Sequence, residues 1–451
     1  MLARIEKTAS SRILPIIYLT FALLVPLPDA FAQNKIVTIH TFPEVRIAEF
    51  QNKSFPGSIS NDRKVFLGSI GSDLWHGPTD ARDEFWMITD RGPNGQIAVD
   101  GKNRRTFWVP EFDPTIIKLK LEDNSMRVVE TIPLVGRSGK PVTGLPNLKD
   151  LDETPYDYAA QQVLPFNTNG LDTEGLVRTT AGDFWIGDEY SPSLVHADRS
   201  GKILKRYIPE QLDLPGTDYT VVQALPAIYG RRKINRGFEG LALSADEKTL
   251  YLVLQSPLLN PDRKTGDASR NTRVLVFDIA TEKVTAEYAY RFDVSMEFDR
   301  GPKNTPDEMK LSAVVALNST TLLILERTDW VAKLYSVDMT RATNILGTKW
   351  NDPKTSPALE SLADPASAEV QVLPKSLVAD LSALAGVPEK IEGLAVLDQN
   401  TIAISNDNDF DSEESVYDEQ GNNVGKGKKS QILLISLEKA LPLTSATISA
   451  R

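Results

Sequence analysis

Along most of the chain, apolar residues come in short runs of Val, Ile, Leu, Tyr and Trp cut by Gly, Asn and Asp turns, and helical periodicity is scarce. That pattern predicts an all-β fold. A larger unit repeats on top of it: "LGSIGSDLWHGPTDARDEFWMITDRG", "DTEGLVRTTAGDFWIGDEY", "GFEGLALSADEKTLYLVLQS", "KLSAVVALNSTTLLILERTD" and "IEGLAVLDQNTIAISNDND". Each reads as an apolar strand, a polar turn, a second apolar strand and a closing polar or charged pair. The pairs are Asp90–Arg91, Asp188–Glu189, Gln255–Ser256, Glu326–Arg327 and Asn406–Asp407, and their first members are spaced 98, 67, 71 and 80 residues apart. The intervals leave room for two more strands, such as "TIIKLKLE" with "MRVVETIPL" or "TRVLVFDIA" with "KVTAEYAYRFD". Four antiparallel strands per unit at that spacing predict a β-propeller of five blades, with room for a degenerate sixth between Gly92 and Asn169. Two unrelated β-sandwiches would leave the repeat unexplained. Propellers commonly close by borrowing a strand from the other terminus, and "KIVTIHTF" and "VRIAEF" are the two candidates.

Acids sit at the hairpin ends. Reflection through the turns pairs Glu174 with Asp188 about Ala181, Glu239 with Gln255 about Glu247, and Glu392 with Asn406 about Gln399. If these hairpins are the inner strands of successive blades, the residues converge as a ring at one mouth of the central channel. Unpaired like charges in a confined site repel and raise their own pKa values, so the ring needs compensation. Arg91 and Arg327 are two candidates, and a hard divalent cation is the third. Carboxylate and amide oxygens suit calcium, with Glu174, Glu189, Glu239, Glu392, Asn406 and Asp407 as expected ligands. The alternative is that Glu-Gly-Leu only initiates a strand, its Glu bonding nearby amides.

His40, His76 and His196 are far apart and offer no zinc or iron spacing. The stretch "NDNDFDSEES" resembles the start of a calcium loop, but Ser412 stands where glycine is wanted and Asp418 where a bidentate Glu is usual. A solvated acidic loop is the competing reading, and "GKGKK" at 425–429 reads as an exposed turn. No G-x-S-x-G elbow, H-E-x-x-H, P-loop or dinucleotide fingerprint occurs.

Composition adds compartment and partner class. Arg4, Lys7 and Arg12 precede an apolar run from Ile13 to Leu27 that Pro15 and Pro26 interrupt, then "DAFA". The run is too short and broken for a stable span, so residues 1–32 read as an export signal cleaved after Ala32. Its removal leaves residues 33–451 as a single domain without an integral membrane span, in the periplasm or secreted. Cysteine is absent, so stability must come from packing or bound ions. The formal charge moves from −11 to −12 on cleavage, which argues against nucleic acid as a partner.

With these residues in view, the chain resembles the phytase-like domain family described as having esterase-like activity. The motifs are "TDRGPNG", "LDTEGLV" with "WIGDEYSPSL", "RGFEGLALSADEKTLYLVLQSPL", "LLILERTDW" and "KIEGLAVLDQNTIAISNDNDF". The resemblance implies ester or phosphate-ester hydrolysis on a propeller with calcium. The "DDPA"-type signature of β-propeller phytases is absent. The resulting expectation is an exported, metal-assisted hydrolase of small-molecule phosphate or carboxylic esters. In it Glu326 or Asp188 accepts a proton, and Arg91, Arg327, Asp90 and Gln255 contact substrate. The alternative is a non-catalytic propeller that binds a ligand or protein and uses calcium for rigidity. Within "LLILERTDW", alternation lets only one of Glu326 and Arg327 face the channel, and equivalence with Asp90, Asp188 and Asn406 favours Glu326.

Overall fold

The computed structural model describes residues 33–298, 300–302 and 305–443. The expected export signal at 1–32 lies outside the described residues. Each predicted hairpin forms the inner half of an antiparallel sheet. The first blade has a bridge at Trp75–Trp86 followed by strands Glu84–Ile88, Thr115–Glu122 and Ser125–Pro133. The second runs Thr173–Arg178, Phe184–Asp188, Ser193–Ala197 and Ile203–Pro209, with Thr220–Leu225 added in parallel. The third is Phe238–Leu243, Thr249–Leu254, Asn271–Asp278 and Lys283–Arg291. The fourth is Lys310–Ala316, Thr321–Arg327, Ala332–Asp338 and Lys375–Asp380.

The fifth blade has Ile391–Asp398, Thr401–Asn406 and Gln431–Ser436, and the N-terminal strand Lys35–Thr41 completes it by pairing Lys35 with Ser436. "KIVTIHTF" is therefore the borrowed strand. "VRIAEF" instead begins with a bridge at Arg46 and turns into the short helix Ile47–Gln51. The stretch suspected of hiding a sixth blade holds the outer strands of the first. It also holds a small sheet of Asn94–Val99, Lys102–Phe107 and Pro155–Asp157.

Packing explains why the strands are apolar on both faces. In Glu84–Ile88, Phe85 and Met87 join a core shared with Ala395, Ala403 and Ile432 of the fifth blade, while Trp86 and Ile88 join one shared with Leu176, Phe184 and Val195 of the second. Three more such cores lie between the second and third, third and fourth, and fourth and fifth blades. A strand buried between two neighbouring sheets loses the in–out alternation of a half-exposed one and reads as a continuous apolar run.

The four inner hairpins Thr173–Asp188, Phe238–Leu254, Lys310–Arg327 and Ile391–Asn406 share a defect. The register slips between Thr173 and Leu176, Phe238 and Gly240, Leu311 and Val314, and Ile391 and Gly393. Each slip is a β-bulge, which bends the strand and redirects side chains. The motif Glu-Gly follows from it. A Cβ on Gly175 would stand 2.6 Å from the Leu241 nitrogen, and one on Gly240 would stand 2.7 Å from the Ser312 oxygen. Glycine lets adjacent inner strands approach at the bulge, and the preceding Glu is turned to the channel.

Candidate functional site

Backbone bonds fix which residues share a level around the channel. Asp90, Glu189, Gln255 and Asp407 donate their N–H groups to Ser69, Asp172, Gly237 and Lys390, and Arg327 pairs with Lys310. The ring at the second-strand ends is therefore Asp90, Glu189, Gln255, Arg327 and Asp407. The expected equivalence is one residue out of phase in three blades, and with a period of two a one-residue slip moves a side chain to the other face. Asp188, Glu326 and Asn406 accordingly point away from the mouth.

Asp188 is fully buried against Arg206, 2.6 Å away, and accepts from Ser193 and the Asp172 N–H. Glu326 accepts from the Tyr290 hydroxyl at 2.5 Å, the Asp293 N–H at 2.7 Å and Lys375 at 2.5 Å. Burial raises its pKa and the Lys375 charge opposes that shift. Asn406 ties two backbone segments, accepting from the Gln431 N–H and donating to the Lys429 carbonyl. The preference for Glu326 over Arg327 in the mouth is thus reversed. The Arg327 Nε donates to Ser312 at 2.7 Å, and its terminal nitrogens reach Asp329 at 3.0 Å and Glu392.

The bulge positions add Glu174, Glu239, Ser312 and Glu392, and two residues earlier in the strands stand Asp172, Lys310 and Lys390. Sequence reasoning passed over these last three. Their signal was alternation itself, since residues two apart on a strand face the same side. The acids form two groups that share one member: Asp90, Asp172 and Glu174, and Glu174, Glu239 and Glu392. Within each group one ligand atom per residue lies within 4.8 Å of the others.

Glu174 is distinctive. It is 8% exposed, and among the described residues no hydrogen bond or ion pair reaches its carboxylate. Burial first, and then the charges of Glu239, Asp90, Glu189 and Asp172, push its pKa well above the ordinary carboxylate range. Burial and then Asp172 raise Asp90 in the same way, and the two carboxyls share a hydrogen bond that needs a proton. Asp172 itself is pushed up to about 7, by burial first, with Arg91 opposing. Glu189 is raised by burial and Glu239, and one of its oxygens accepts the Gly237 N–H at 3.1 Å.

The other expected residues are engaged. Arg91 binds Glu153 at 2.7 Å, Asp172 at 3.0 Å and the Tyr190 hydroxyl at 3.1 Å. Gln255 donates to Glu239. Asp407 accepts from Ser69 and pairs with Lys390 at 3.1 Å. The loop that resembles a calcium loop has its acids taken from within: Asp409 holds Lys390 at 2.5 Å, and Asp411 accepts the Lys426 and Gly427 N–H groups. His196 stacks on Trp185 in the third strand of its blade, and His76 lies at the opposite end of the channel.

Among the described residues no helix is long and apolar enough to cross a membrane. An uncharacterized secreted protein of Arthroderma benhamiae is 27% identical over 303 residues, or 58% of this chain, and the chain spans 59% of that relative's length. Among solved structures, luciferin-regenerating enzyme aligns at 9% identity and a TM-score of 0.35, covering 85% of this chain and 96% of its own. Regucalcin of Agrobacterium tumefaciens, a calcium-binding protein, aligns at 11% identity and a TM-score of 0.34, covering 84% and 92%. The phytase-like family, described as esterase-like activity of phytase, matches residues 71–410, which span every inner hairpin and the acid groups between them, and the chain belongs to it.

Proposed function

We propose that the protein is an exported hydrolase of phosphate or carboxylic esters that works with a divalent cation at the acidic side of the mouth. The observation that carries this reading is Glu174, a buried carboxylate that has no partner among the described residues and belongs to both acid groups. The donor set is all oxygen, which fits a hard cation such as calcium, and Asp90, Asp172, Glu174, Glu239 and Glu392 would hold it. Bound there, such an ion would supply Lewis-acid polarisation of an ester oxygen. The chain's own residues do the rest. Arg91 anchors Asp172, and Arg327 sets Glu392 and offers a positive edge beside the acids, where an ester oxygen would bind. Glu189, held by one backbone N–H and outside both acid groups, takes the proton-accepting place first expected of Asp188 or Glu326.

The experiment is a panel of phosphomonoesters, phosphodiesters and acyl esters, assayed with calcium and after thorough chelation. Turnover of at least one class that calcium supports and Glu174→Gln removes is the expected result. Calcium binding without turnover on any ester would replace the hydrolase with a ligand-binding propeller.

A further inference from the structure

At the end of the channel away from the acids, the inner strands enclose a cavity of about 320 Å³ among the hairpin turns. Its wall is mostly apolar, with Leu176, Leu241, Val314 and Leu394 around it and Trp75 at one side, and Asp73 lies at its inner end. None of the residues of the two acid groups lines it. The volume suits a small molecule.

The polar groups set the sign of that molecule. Asp73 accepts the Leu74 N–H at 2.7 Å and the Leu176 N–H at 2.9 Å, and the Leu394 backbone bonds it from the other flanking strand. A carboxylate has about four acceptor positions, so one remains for a ligand. Burial holds the Asp73 pKa up, to about 8, against these backbone N–H groups, so the carboxylate form is complete only above that value. The His76 Nδ1 lies 2.9 Å from the Glu84 carbonyl oxygen, which can only accept, so Nδ1 carries a hydrogen. Glu247, on the third blade's turn, supplies another carboxylate. Among the described residues that line the cavity, none is lysine or arginine. The Trp75 indole adds a π face that favours a cation.

We propose that this cavity binds a small organic ammonium compound, its apolar body among the leucines and its ammonium group on Asp73. A carboxylate of the same shape would be repelled, and a neutral alcohol would lose the charge.

The test titrates the full chain calorimetrically at about pH 9, where Asp73 is ionised and an alkylamine is still protonated, with three probes of one shape: cyclohexylmethylamine, cyclohexylmethanol and cyclohexanecarboxylate. The amine should bind tighter than the alcohol by about tenfold or more, the worth of one charge-assisted hydrogen bond, and the carboxylate should not bind. Ala316→Leu, which fills the wall, should abolish amine binding while the melt shows a folded chain. Asp73→Asn should reduce the amine to the affinity of the alcohol. Should either variant fail to fold, the ranking of the three probes and the remaining variant decide. No amine binding, equal affinity for amine and alcohol, or unchanged amine binding in folded Ala316→Leu would overturn the proposal. The last result would place the ammonium at the acid ring instead.

Discussion

The two halves of the mouth are built from the same hairpin ends, yet they treat charge in opposite ways. On the side of the fourth and fifth blades, Glu392 meets Arg327, Asp329 meets Lys310 at 2.6 Å, and Asp407 and Asp409 meet Lys390. On the side of the first three, Asp90, Glu174 and Glu189 face one another, and Arg91 is already divided between Asp172 and Glu153. One half carries its own counter-ions, against which burial still raises Glu392 and Asp407. The other answers its repulsion by holding protons, which is the arrangement a metal ion would displace.

The largest effect is expected from breaking the self-neutralised half. Arg327→Ala strips the counter-ion from buried Glu392 and part of that from Asp329, and should cost about 3–5 kcal/mol in denaturant unfolding. Pairing it with Glu392→Gln should recover a substantial part. A loss below about 1 kcal/mol would mean that this half is not held by its ion pairs.

Next comes the response to calcium. At a concentration near 100 times its dissociation constant, calcium should add about 2.7 kcal/mol to the metal-free protein. Glu174→Gln should remove most of that gain while making the metal-free chain more stable than wild type, because it deletes a buried acid that meets no partner among the described residues. An unchanged melt on calcium addition, together with no bound metal by elemental analysis, would leave the acidic half without its proposed ligand.

The third effect is the pH slope. The folded pKa values of Asp90, Asp172, Glu174 and Glu189 are raised above their unfolded ones, so the folded state binds protons more tightly. Their contribution to stability is full below the unfolded carboxylate range, about pH 4, and is lost as pH rises through each folded value. For Asp172 the loss is complete by about 7. Metal-free protein should therefore lose stability between about pH 4 and 7, and saturating calcium should flatten or reverse that slope. Equal slopes with and without calcium would contradict this.

The smallest effect serves as a control. Asp113 is buried, among the described residues neither side-chain oxygen has a partner, and burial pushes its pKa well up. Asp113→Asn should raise the melt by a few degrees at neutral pH, the gain vanishing in acid, and should leave the calcium response intact. A lost calcium response would show that burial alone, not membership of the mouth, controls ion binding.

Much of the fold was legible because a strand packed between two sheets announces itself as an unbroken run such as "FWMI" or "LLIL". The closing strand was legible only as one of two candidates, because Lys35–Thr41 lies largely half-exposed and polar residues interrupt its apolar ones. The site was legible in position but not in phase. Reflection through a turn assumes one residue opposite one residue, and the Glu-Gly bulge adds a residue on one side only, so Asp188 and Asn406 took the places of Glu189 and Asp407, and Glu326, aligned with them, took that of Arg327. The glycine after Glu174, Glu239 and Glu392 was the available warning, since an isolated glycine in a strand marks a bulge or a close backbone approach. The buried partners Arg206 and Lys375 had no local signal. They come from outer strands, and only the folded sheet brings them to Asp188 and Glu326.

The pairing of Lys35 with Ser436 puts the beginning and the end of the domain side by side, and the Glu438 N–H donates to the Asn34 side chain across 404 positions of sequence. During synthesis the strand Lys35–Thr41 must wait for a partner made far later, so four blades can assemble while the fifth still presents an open edge capable of capturing another chain. The two strands are antiparallel with both termini at one end of their ladder. Tension applied to the termini would therefore part them one hydrogen bond at a time, like a zip, and the ring would fail at its clasp well before any blade was pulled apart.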